Sequence, residues 1–96
     1  MNLSDFKESI QQGAMPKGIS VFLQALWLEK SGDWDGAHGL IDSLAGQDAA
    51  YLHAFLHRRE GDLSNAAYWY RRAGKPIASG SLEEEWELQV IYFLAD

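Results

Sequence analysis

The chain has no cysteine, which excludes a disulfide framework, a cysteine-ligated zinc centre and a thiol nucleophile. Threonine is also absent, and Val and Ile together supply only seven residues, so the β-branched side chains that favour strands are scarce. The longest apolar stretch runs from Ile19 to Leu28 and is interrupted by Ser20 and Gln24. Ten residues of that kind are too short to cross a bilayer. The first residues carry Asp5 and Glu8 with no apolar run, which does not read as a secretory leader. A cytoplasmic protein with no membrane contact is the expectation. Basic residues are few as well, eight Lys and Arg against 14 Asp and Glu for a net charge of −6. That balance disfavours a general binder of nucleic acid or anionic membranes, because phosphate contacts supply most of such affinity.

The chain is rich in helix formers, with Ala and Leu at twelve residues each. Its 96 residues suit one domain with one core, and 47% hydrophobic content excludes disorder along the whole chain. Gly and Pro cut the sequence at Gly13 to Pro16, Gly32, Gly46, Gly61 and Gly74 to Gly80. Six helices are predicted between these breaks: Ser4 to Gln12, Lys17 to Ser31, Trp34 to Ala45, Asp48 to Arg59, Leu63 to Ala73, and residues 82–95. Asp5 with Glu8 reads as a capping box for the first, and Ser81 with Glu84 for the last. The second helix is apolar on most sides and should be central. The short connections predict antiparallel neighbours. An all-α array of helical hairpins is the predicted fold class.

One six-residue pattern, Gly-Asp-x-x-x-Ala, occurs twice. Gly32-Asp33-Trp34-Asp35-Gly36-Ala37 returns 29 residues later as Gly61-Asp62-Leu63-Ser64-Asn65-Ala66. The Gly suits a left-handed helix end, the Asp suits a cap on the next helix, and the small Ala allows two helices to approach closely. The match continues from Ala37, Ile41 and Leu44 to Ala66, Tyr70 and Ala73. With its Gly-Asp-x-x-x-Ala turn, the pattern resembles the tetratricopeptide repeat, and Ala66 to Ala73 also resembles the second helix of the Sel1-like repeats. The resemblance covers units of about 18–46 and 47–75, flanked by helices at 4–12 and 82–95, the last reading as the start of a third unit.

That resemblance implies a non-catalytic protein–protein interaction module or a self-associating subunit, with a protein or peptide partner and no cofactor. It also implies a concave groove lined by Ile19, Phe22, Leu26, Tyr51, Phe55, Arg58 and Arg59. So much apolar surface should not stay wet. Either the first or the last helix folds over it as a cap, or a partner or second copy of the chain occupies it. Arg58 and Arg59 either offset the carbonyl end of their helix or grip a partner's carboxylate. The carboxylate clamp of some tetratricopeptide modules is not matched, since its Lys and Asn positions hold Phe22, Leu26 and Phe55. The acidic run Glu83, Glu84, Glu85 and Glu87 reads as a solvated helix start. Trp69 and Tyr68, off the main stripe of their helix, read as contacts to a neighbour.

His53 and His57 stand four apart, a spacing that puts two imidazoles on one helix face. The residues between them are Ala54, Phe55 and Leu56, so the general-base Glu of the His-Glu-x-x-His motif is missing. The alternative function, a small metal-binding or hydrolytic protein using His53 and His57, therefore requires a third convergent polar group, and His38 is the one other imidazole. No catalytic residue and no metal ligand is expected without it.

Overall fold

The computed structural model describes residues 1–95. Its architecture is all-α, with six helices: α1 (Leu3–Gln11), α2 (Val21–Lys30), α3 (Trp34–Ile41), α4 (Gln47–Arg59), α5 (Leu63–Ala73) and α6 (Leu82–Leu94). No helix among the described residues is long and apolar enough to cross a membrane.

The recurring six-residue pattern makes the same turn twice. Gly32 and Gly61 take φ of 95° and 88°, which a side chain would strain. At the first turn Gly32 N–H donates to Glu29 O and Asp33 N–H to Leu28 O; at the second, Gly61 N–H donates to Arg58 O and Asp62 N–H to His57 O. Both are Schellman closures that satisfy the last free carbonyls of a helix. The next helix is then capped by aspartate, with Asp33 Oδ1 accepting from Gly36 N–H at 2.9 Å and Asp62 Oδ1 from Asn65 N–H at 3.3 Å. α3 thus folds back on α2 and α5 on α4. Ala37 and Ala66, 0% and 2% exposed, sit where these helices meet their neighbours.

Several helix ends fall elsewhere than their local signals suggest. α1 is capped by Asn2, whose side chain accepts from Asp5 N–H at 2.8 Å. The predicted Asp5 and Glu8 box does not form, because Asp5 already lies inside the first turn. α2 begins at Val21 under a Ser20 cap rather than at Lys17, since Gly18 takes a left-handed conformation. α3 ends at Ile41, short of Ala45, and leaves Leu44 exposed. The Ser81 and Glu84 capping box of α6 does form, with both of its bonds at 3.0 Å.

α6 decides the shape of the molecule. It packs against α1, α2 and α4, so it crosses both hairpins instead of extending the array beyond α5 as a third unit would. Trp86, Val90 and Phe93 are buried with Leu26, Leu52 and Phe55 in one core. Each such side chain contributes about 1.5–3 kcal/mol through burial. α1 closes the other side: Phe6 lies 5.9 Å from Trp86, and Trp27 Nε1 donates to Ser9 Oγ at 3.0 Å. The described residues measure 34 × 26 × 24 Å.

Candidate functional site

Of the seven expected groove residues, Phe22, Leu26, Tyr51, Phe55 and Arg58 meet α6, whereas Arg59 turns to Glu29 of α2. Leu26 and Phe55 are fully buried, while Ile19, Phe22 and Tyr51 are partly buried at the edge of the same core. The Phe22 ring stacks on Phe93 at 4.9 Å. Gln89 Nε2 donates to the Tyr51 carbonyl at 3.0 Å, and Trp86 Nε1 to that of Leu26 at 3.0 Å. The last helix supplies the cap on the groove, with α1 packed behind it.

Arg58 and Arg59 both grip carboxylates, and the carboxylates belong to this chain. Arg58 Nη1 lies 2.9 Å from Glu85 Oε1 and its other amino group bonds the Gly80 carbonyl. Arg59 Nε lies 2.6 Å from Glu29 Oε2. Glu85 and Glu29 are buried. Tyr70 O–H also donates to Glu85, and burial together with that carboxylate pushes the phenol pKa well up. For Glu29, burial outweighs Arg59 and raises its carboxyl above the usual range. In the expected solvated start of the last helix, Glu84 is exposed, Glu85 is buried, and Glu83 and Glu87 are partly exposed in ion pairs. Glu83 pairs with Lys30, whose hydrogen bond holds it below the usual carboxylate range, and Glu87 lies 2.6 Å from Lys7 Nζ. The acidic turns of α6 are ion-paired to α1, α2 and α4.

The histidines give a different outcome. His53 and His57 project from α4, and α3 brings His38 against them, so that one nitrogen from each ring lies within 4.8 Å of one from each of the others. The ring centroids are 5.3 Å apart for His38 and His53, and 6.0 Å for His53 and His57. Trp34 stacks on His38 at 5.0 Å and Trp69 stacks on His53 at 4.2 Å. Trp69 thus has its neighbour inside the chain, whereas Tyr68 is exposed beside Arg72. The neutral form of buried His53 is favoured first by burial and then by His38 and His57, against the opposite pull of Asp42 and the Ile41 carbonyl. Helical spacing pairs His53 with His57 and His38 with Trp34, but no local signal joins His38 to the α4 histidines.

Large apolar side chains also remain on the outside. Leu88 and Ile91 on α6 are 62% and 49% exposed, Ile77 between α5 and α6 is 61%, and Leu63 at the start of α5 is 65%. Ile77 and Leu88 line one cleft of about 490 Å³ with Tyr51, Tyr70 and Glu84. Ile77 and Leu63 line a second, of about 310 Å³, with Arg58. Ile77 belongs to both clefts and so links Leu63 to Leu88. Comparison with known proteins finds no matching family model, curated protein or solved structure.

Proposed function

We propose that the chain is a non-catalytic, tetratricopeptide-like interaction module whose partner is a protein segment. The repeated Gly-Asp turn and the two close-packed hairpins support the repeat-like part of this reading. Because α6 fills the groove, a partner meets the outer edge instead. The carrying observation is the apolar set Leu63, Ile77 and Leu88, left exposed around two clefts, with Ile91 exposed one turn beyond Leu88 on α6. A monomeric surface keeps such a set at a cost in solubility, and binding is its usual use. Lys75 lines the same cleft as Glu84, so the net charge of −6 carries the choice: it favours a partner whose apolar side chains are flanked by Lys or Arg and opposes pairing with a second copy.

A photo-crosslinking residue in place of Leu88, compared with one in place of Phe22, tests this in the native cell. The reading predicts a discrete adduct from position 88 that is lost in Ile77→Asp, with the melting temperature unchanged. It also predicts a monomer when the purified chain is sedimented. Adducts from position 22 alone would return the partner to the groove, and a dimer broken by Leu88→Glu would make the second copy the occupant.

A further inference from the structure

We propose that His38, His53 and His57 form a three-nitrogen site for a divalent transition-metal ion, zinc in particular, that ties the first helical hairpin to the second. The three side chains come from two helices, and their ligand atoms lie within 4.8 Å of one another. Tetrahedral zinc with bonds of 2.0–2.1 Å needs nitrogens roughly 3.3 Å apart, so modest turns of the rings complete the set.

Three further features suit a metal. His53 is 3% exposed, and its Nδ1 is buried without a full hydrogen bond, although the Ile41 carbonyl acts on the ring. A buried polar nitrogen left open is costly unless something fills it. The two outer rings each meet a carboxylate: His57 Nδ1 is 2.7 Å from Glu60 Oε1 and His38 Nε2 is 3.6 Å from Asp42 Oδ1. His57, giving its Nδ1–H to Glu60, presents Nε2 as a lone-pair donor, the usual outer support of a histidine ligand, whereas Asp42 lies beyond hydrogen-bond distance of His38. The indoles of Trp34 and Trp69 hold two of the rings in place.

The donor set selects the ion. Three imidazoles with no thiolate and no ligating carboxylate suit zinc, cobalt, nickel or copper and reject calcium and magnesium. A facial set of three nitrogens leaves one tetrahedral position for water. A second grouping, His57 with Glu60 and Asp62, shares His57 but draws its carboxylates from exposed side chains, and it contains no orphaned nitrogen.

The test uses the full chain, stripped with chelator and titrated with Zn²⁺ by calorimetry, and with Co²⁺ by visible absorption. The site predicts one ion per chain, a saturable rise in melting temperature and the intense absorption of tetrahedral cobalt. His38→Ala, at a partly exposed position, should fold normally and lower Zn²⁺ affinity at least about tenfold. His57→Ala should do the same, whereas Asp62→Asn should leave affinity unchanged. No stoichiometric binding would overturn the proposal, as would affinity indifferent to His38→Ala or dependent on Asp62. Should His53→Ala misfold, the His38 and Asp62 variants decide the matter without it.

Discussion

The indole N–H of Trp86 donates to the backbone carbonyl of Leu26 at 3.0 Å across 60 residues of sequence. That bond joins the capping helix to the central helix at the floor of the groove, where both side chains are fully buried. Removing the ring in Trp86→Ala should cost about 3–5 kcal/mol. It should also raise binding of a hydrophobic dye, as α6 loosens from Leu26 and Phe55. Urea unfolding and dye fluorescence check both effects.

The Arg58–Glu85 pair is nearly closed to water, with side-chain exposures of 15% and 4%. Arg58→Ala strands a buried carboxylate and should destabilise by about 3–5 kcal/mol. In Arg58→Met with Glu85→Gln the amide still accepts from Tyr70, and most of that loss should return. A double variant as unstable as the single would show that the bonds of Arg58 to the Gly80 and Ser81 carbonyls, which Met cannot make, set its value rather than charge pairing.

Glu29 gives a pH dependence of unusual sign. Burial raises its folded-state pKa despite Arg59, so the folded chain holds this proton more readily than the unfolded one. Between the ordinary carboxyl value of about 4.3 and the raised value, this residue makes stability fall as pH rises. Glu29→Gln removes that contribution. The stability of the variant relative to the natural chain should therefore improve as pH rises through this window, although an ion pair has been lost. Denaturant midpoints taken from pH 4 to 8 measure the difference.

Ala37 and Ala66 occupy equivalent places in the two hairpins and are closed to solvent. Enlarging either to Leu should overpack the contact and cost about 1–3 kcal/mol. Thermal melts check this, and an unchanged midpoint for both would break the equivalence of the two units.

What was legible in the sequence is local chemistry. Gly32 and Gly61 announce their turns because few residues other than Gly take those φ values without strain, and Ser81 with Glu84 announces a helix start because both partners lie within one turn. Burial of Leu26 and Phe55 follows from helical spacing. What was hidden depends on elements meeting from far apart. Glu85 and Glu29 reach Arg58 and Arg59 over about thirty residues, so the arginines read equally well as helix-end charges or as ligand grips. His38 joins His53 and His57 only once α3 lies against α4. The role of α6 was hidden for the same reason: its apolar pattern suits an added repeat as well as a cap, and only its packing on α1, α2 and α4 distinguishes them. Asn2 outcompeted Asp5 as a cap because the helix starts earlier than its charged residues suggest.

Native-state amide hydrogen exchange tests most directly whether α6 is a permanent part of the core. If the groove is closed, the amides of Val90 and Phe93 should exchange only through global unfolding, with the same opening free energy as Leu52 and Leu56 in α4. If α6 instead exchanges through a smaller opening while α4 stays protected, it is a detachable lid, and Phe22, Leu26 and Phe55 are available to a partner after all.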